Sequence, residues 1–119
     1  MSASIGMIVI RTKKLETLLS FYGKLGLSFQ EERHGTGPIH YSCLLEGIVF
    51  EIYPAKDEVS SCCVDKTMLG FRVPALDETL EKLSSLDVRL VSPPVQSSWG
   101  RRALVLDPDG RKIEFIESA

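Results

Sequence analysis

Residues 7–28 and 68–89 carry one pattern 61 positions apart in a chain of 119 residues, so the folding unit of this chain is built twice. Setting MIVIRTKKLETLLSFYGKLGLS against MLGFRVPALDETLEKLSSLDVR matches Met7 with Met68, Arg11 with Arg72, Leu15 with Leu76, Leu19 with Leu80 and Leu25 with Leu86. Glu16 falls on Asp77. Each half then closes on a two-strand pattern, HYSCLLEGIVFEIY in the first and RRALVLDPDGRKIEFI in the second, each with a glutamate near its end. A repeat of this kind means that one unit does not bury its apolar face alone. Function is then expected between the halves.

The length allows one packed domain, 1–119, with modules of about 1–57 and 58–119 joined by a linker near 54–66. With 44% hydrophobic and 25% charged residues the chain falls among ordinary globular proteins. A net charge of −2 offers no basic footprint, which excludes nucleic acid as the expected partner. No apolar run approaches the roughly 20 residues that cross a bilayer, and MSASIG lacks the basic and apolar segments of a secretory signal, so a cytoplasmic protein with no membrane partner is expected. Cys43, Cys62 and Cys63 are odd in number and lack zinc or redox spacing, which reads as reduced thiols. A vicinal Cys62–Cys63 disulfide under oxidation is the alternative.

Periodicity predicts strands over 5–11, 27–32, 39–45 and 48–53 and a helix over 15–25 carrying Leu15, Leu18, Leu19, Tyr22 and Leu25. In the second half strands are predicted over 68–73, 88–91, 101–106 and 111–116, with a helix over 76–86. The fold class is therefore α+β, two βαβββ modules.

Strand side chains alternate between faces. One predicted face is apolar and covers the helices: Ile8, Ile10, Cys43, Leu45, Ile48, Phe50 and Ile52, then Leu69, Phe71, Val73, Leu104, Leu106, Ile113 and Phe115. The other mixes charges with apolar groups: Met7, Val9, Arg11, His40, Ser42, Val49, Glu51 and Tyr53, then Met68, Gly70, Arg72, Arg101, Ala103, Lys112, Glu114 and Ile116. A two-residue Glu46-Gly47 loop pairs Leu45 with Ile48, Ser42 with Glu51 and His40 with Tyr53. A type I turn over Asp107-Pro108-Asp109-Gly110, read as pairing Leu106 with Arg111, sets Ala103 opposite Glu114 and Arg101 opposite Ile116. A solvated sheet surface explains such a face as well as a binding floor does.

The segments LETLLSFYGKLGL (15–27), VFEIYP (49–54) and LVLDPDGRKIEF (104–115) together resemble the vicinal oxygen chelate superfamily of glyoxalases, bleomycin resistance proteins, fosfomycin resistance enzymes and extradiol dioxygenases. The resemblance spans nearly the whole chain. It implies two βαβββ modules forming a curved mixed sheet around a cup, helices outside, and a homodimer in which modules are sometimes exchanged. It also implies four metal-ligand places, one on the first and one on the last strand of each module, which fall here on Met7, Glu51, Met68 and Glu114. Thioethers at two of the four are poor ligands for Zn²⁺, Mn²⁺, Fe²⁺ or Ni²⁺ in an oxygen-rich site.

The expected function is therefore glyoxalase- and bleomycin-resistance-like binding of a small organic molecule without a metal or other cofactor. Met7, Arg11, His40, Ser42, Glu51, Tyr53, Met68, Arg72, Trp99, Arg101 and Glu114 are the expected ligand-binding residues. Arginines would meet anionic groups, glutamates donors, and Trp99 a planar ligand as a lid. The alternative is a metal-dependent lyase, isomerase or dioxygenase whose divalent transition metal is held by His40, Glu51 and Glu114. A third reading is a degenerate module whose cup is filled by its own side chains and which acts only through dimer contacts, with the acids in salt bridges to arginines, His40 bonded within the sheet and His34 exposed in a loop.

Overall fold

Apolar residues at alternate positions set the strands, and runs at helical spacing set the helices that cover them. The computed structural model describes residues 2–55 and 67–118. The expected linker and the Cys62–Cys63 pair lie almost wholly outside these residues. The chain divides into two compact units, Met1–Ser61 and Cys62–Ala119.

The first module runs β1 (Met7–Thr12), α1 (Leu15–Gly23), β2 (Gln30–Glu32), β3 (His40–Leu45) and β4 (Ile48–Pro54), with sheet order β1-β4-β3-β2. β1 lies parallel to β4, and the other pairs are antiparallel. On α1, Leu18, Phe21 and Tyr22 follow helical spacing and are fully buried against the Phe50 and Ile52 face. Phe21 meets Tyr22 edge to face at 4.9 Å, and Tyr22 meets Phe50 in the same way at 5.3 Å. Each such pair contributes about 0.5–1.5 kcal/mol beyond area burial. Glu46 and Gly47 take φ of 48° and 86°, a primed two-residue turn that holds Leu45 opposite Ile48 and Ser42 opposite Glu51. This is the expected register.

The second module repeats the order with β5 (Met68–Val73), α2 (Leu76–Leu83), β6 (Arg89–Ser97), β7 (Gly100–Leu106) and β8 (Lys112–Glu117), in sheet order β5-β8-β7-β6. The repeat offset of 61 carries the first residues of β1 and α1 onto those of β5 and α2. The helix expected to reach residue 86 ends its α segment at Leu83 and finishes as a 3-10 turn, Ser84–Leu86. β6 is far longer than the expected 88–91, and its register shifts around Ser92, next to Pro93 and Pro94. Prolines lack the ladder donor and are tolerated on an edge strand such as this one. The start of α2 is capped from a distance, as Leu76 N–H donates to Glu117 Oε2 at 2.8 Å. No helix among the described residues is long and apolar enough to cross a membrane.

The second hairpin corrects the expected register. Leu106 pairs with Lys112 rather than Arg111, so Leu104 lies opposite Glu114 and Ala103 opposite Phe115. Gly110 N–H donates to Asp107 O at 2.8 Å, Asp107 N–H donates to Arg111 O at 2.9 Å, and Gly110 has φ of 92°. The type I turn is thus followed by a left-handed glycine that inserts one residue before the ladder resumes. A one-residue slip exchanges the two faces of a strand. Ala103 and Val105, not Leu104 and Leu106, therefore join Ile113 and Phe115 in the core, at 2% exposure or less.

Candidate functional site

In the first module, β1 and β4 in parallel register set Val9 beside Glu51 and Arg11 beside Tyr53, while β3 sets Ser42 on the other side of Glu51. β2 extends the same face by pairing Gln30 with Ser42 and Glu32 with His40. The face away from α1 thus collects Met7, Val9, Arg11, Glu32, His40, Ser42, Glu51 and Tyr53 by strand alternation.

His40 is 1% exposed although it lies on this open face. Aromatic neighbours cover it. Its ring stacks on Tyr53 with centroids 4.1 Å apart and planes 6° from parallel, and His34 from the β2–β3 loop lies 5.1 Å away. Arg11 stands over the Tyr53 ring at 5.4 Å, a cation–π arrangement. His40 Nδ1 lies 3.2 Å from the Pro38 carbonyl. A carbonyl only accepts, so this contact assigns the proton to Nδ1. Among the described residues Nε2 has no hydrogen-bond partner. It stands 3.4 Å from Glu32 Oε1 and 3.8 Å from Glu51 Oε2.

In the second module, Gly70 lies beside Glu114 in the place that Val9 holds beside Glu51, so the two glutamates are topologically equivalent. Glu114 accepts from Arg102 Nη1 at 3.0 Å. A cavity of about 180 Å³ on this face is lined by Met68, Ser92, Arg102, Ala103, Leu104 and Glu114. Its lining is mostly apolar, with one ion pair at hand. Arg72 extends the same strand face as Met68, opposite Ile116.

Arg101 is placed differently from the expectation. With β7 shifted by one residue, it pairs across the sheet with Gln96 and sends its guanidinium to Asp77 at the start of α2, at 2.8 and 3.1 Å. That hydrogen bond is the main reason the Asp77 carboxyl is held below its ordinary range. Arg102 occupies the Glu114 face instead. Trp99 sits in the tight turn between β6 and β7, 76% exposed, with its backbone N–H donating to Ser97 Oγ at 3.2 Å.

Glu32, His34 and Arg102 were not among the expected site residues. The one-residue glycine bulge hid Arg102. For the other two the available signal was Glu-x-His followed by a second histidine across a seven-residue turn, which sets Glu32 opposite His40.

Two successive βαβββ modules, each a helix packed on one face of a four-stranded mixed sheet and polar side chains gathered on the other, define the class. The sequence profile of the Glyoxalase/Bleomycin resistance protein/Dioxygenase superfamily matches residues 4–115, and the chain belongs to this superfamily. Among solved structures it is similar to a glyoxalase/bleomycin resistance protein/dioxygenase family enzyme from Burkholderia phytofirmans PsJN, at 16% identity and TM-score 0.72 over 98% of this chain and 100% of that one. It is similar to the genomically encoded fosfomycin resistance protein FosX from Listeria monocytogenes, at 16% identity and TM-score 0.74 over 100% and 96%. A glyoxalase family protein from Bacillus cereus shares 17% identity, with TM-score 0.75 over 95% and 92%. Such identities carry the fold and not the chemistry. No curated protein gives a significant match.

The metal places implied by the superfamily resemblance do not suit a hard divalent ion in this chain. Met7 and Met68 offer only thioethers there, which leaves two carboxylates where four ligands are expected.

Proposed function

We propose that the protein binds a small organic molecule on the open faces of its sheets, without a metal at the superfamily's first-strand and last-strand places. The cavity beside Met68 and Glu114 carries this reading. At about 180 Å³ it resembles in size an engineered cavity of roughly 150 Å³ that accepts benzene. A single ring or short chain fits that volume. Leu104 and the half-exposed Met68 supply adaptable apolar surface, Arg102 can turn from Glu114 to a carboxylate or other anionic group, and Glu114 then accepts from a ligand hydroxyl or amine. In the first module Met7, Arg11, Ser42, Glu51 and Tyr53 offer the same mixture on the equivalent face.

The reading also takes the protein as a homodimer. Leu90, Val91 and Val95 on edge strand β6, and the adjoining Trp99, are all exposed, which supports self-association along that edge.

Titration of isotope-labelled protein with a library of ring-sized carboxylates tests the binding site directly. The expected result is saturable NMR shifts centred on Met68, Ser92, Leu104 and Glu114, weakened about tenfold or more in Arg102→Ala, since a charge-assisted hydrogen bond contributes roughly 1.5–3 kcal/mol. Ligands that leave these signals unmoved, or bind Arg102→Ala equally well, overturn the reading. Light scattering checks the dimer, and a monomer at tens of micromolar removes that part.

A further inference from the structure

The β2–β3 hairpin of the first module gathers Glu32, His34 and His40 with one ligand atom of each within 4.8 Å of the others. Each arrives by a separate local cause. Glu32 and His40 are cross-strand partners on one face of the hairpin. His34 is set by a loop braced from inside, where Gly37 N–H donates to His34 O at 3.0 Å and Arg33 Nε donates to Gly37 O at 3.1 Å. His40 is packed under Tyr53 and His34.

The state of His40 makes this more than a cluster. With Nδ1 turned to the Pro38 carbonyl, Nε2 is buried and has no hydrogen-bond partner among the described residues. Its near neighbours are two carboxylate oxygens, from Glu32 at 3.4 Å and Glu51 at 3.8 Å. A buried polar atom is ordinarily satisfied, and carboxylate oxygens brought together in a partly desolvated place call for a positive charge between them. A cation seated among these atoms meets both demands at once. The Nδ1–carbonyl contact is also the arrangement that fixes the tautomer and ring orientation of a metal-binding histidine.

We propose that Glu32, His34 and His40 bind one divalent first-row transition ion of the Zn²⁺ class, with Glu51 beside it as a further carboxylate. Two imidazoles and one carboxylate are a known three-ligand set that leaves a position for water or a ligand oxygen. With metal–ligand bonds of about 2.0–2.2 Å, ligand atoms in a tetrahedral shell stand roughly 3.3–3.5 Å apart. His40 Nε2 and Glu32 Oε1 are already at 3.4 Å, and His34 Nε2 is 3.7 Å from the same oxygen. The exposed His34 side chain can close that difference by a small rotation. None of the three belongs to the Met7, Glu51, Met68 and Glu114 places, so this site goes beyond the proposed ligand reading and does not depend on it.

The test is calorimetric titration of untagged Cys62→Ser/Cys63→Ser protein with Zn²⁺, together with the visible absorption of added Co²⁺, which reports coordination geometry. The double serine background removes two soft ligands that would bind these ions elsewhere. One equivalent of Zn²⁺ is expected, with affinity falling at least about tenfold in His34→Ala and in Glu32→Gln, because each substitution removes a ligand. His34 is exposed on a loop, so its loss leaves the fold intact, and His40→Gln should abolish the Co²⁺ bands. No stoichiometric ion, or an ion bound equally well by His34→Ala and Glu32→Gln, overturns the proposal. So does an ion lost only in Glu114→Gln. The ring-sized carboxylate titration is read without metal, so the two readings fail separately.

Discussion

The imidazole of His40 lies flat on the phenol ring of Tyr53, 4.1 Å between centroids. Both residues project from the open face of the first sheet, yet His40 is almost completely buried. Rings, not the helix-covered core, remove it from water. That difference matters because a histidine buried in a core would ordinarily have both nitrogens satisfied, whereas here one nitrogen faces carboxylates.

Removing the stack should therefore expose the imidazole before it harms the fold. Tyr53→Ala is expected to destabilise the protein by about 2 kcal/mol, from lost aromatic contact and burial. Tyr53→Phe should stay within about 0.5 kcal/mol, since it keeps the ring. Urea titration measures both. Modification of His40 by diethyl pyrocarbonate, mapped by mass spectrometry, should be slow in the parent and in Tyr53→Phe and fast in Tyr53→Ala.

How far the sequence could be read depended on how tightly each turn constrains its strands. Glu46-Gly47 leaves only a two-residue loop, so the Ser42–Glu51 pairing followed from counting. At 107–111 the same counting had two solutions one residue apart, and β7 reads ALVL, apolar on both faces, so patterning did not choose between them. That ambiguity moved Arg101 to the helix side and brought Arg102 to Glu114. His40 was legible as an open-face residue. Its partners Glu32 and His34 were not, because the short β2 and the seven-residue turn after it carry no periodicity to fix their register.

The bulged turn should be the most fragile point of the second module. Asp107 is 3% exposed, and its Oδ1 accepts from the backbone N–H groups of Asp109 and Arg111 while Oδ2 accepts from the Arg111 guanidinium. Asp107→Ala takes the side-chain acceptor from the Asp109 and Arg111 backbone N–H groups, while the Arg111 guanidinium keeps Asp109 Oδ2 at 2.9 Å, and should cost about 3 kcal/mol. Gly110→Ala places a Cβ at φ of 92° and should cost about 1–2 kcal/mol. Denaturant midpoints check both values, and amide exchange should report loosening along β7 and β8 first.

The first hairpin offers the opposite case. Glu46 sits at φ of 48°, where a side chain without local hydrogen bonding is strained, and the turn type favours Asn-Gly. Glu46→Asn should raise stability by about 0.5–1 kcal/mol, visible as an increase of a few degrees in Tm. Gly47→Ala, at φ of 86°, should lower it by about 1 kcal/mol.

The Asp77–Arg101 pair gives a pH dependence whose sign is fixed. Hydrogen bonding from Arg101 holds the Asp77 carboxyl below its ordinary value of 3.8 in the folded protein. The unfolded chain therefore takes up this proton more readily, and stability falls wherever it does so. The contribution is complete above the ordinary value and is lost as pH drops through the depressed one. Asp77 is largely exposed, so the effect is small and screened by salt. Urea titrations of the parent and Asp77→Asn from about pH 7 to pH 2 should show a constant difference down to about pH 5 that shrinks below it. Added salt should reduce that difference at neutral pH. A difference that instead grows on acidification would mean that Asp77 is stabilised by its protonated form, which the two Arg101 hydrogen bonds at 2.8 and 3.1 Å do not permit.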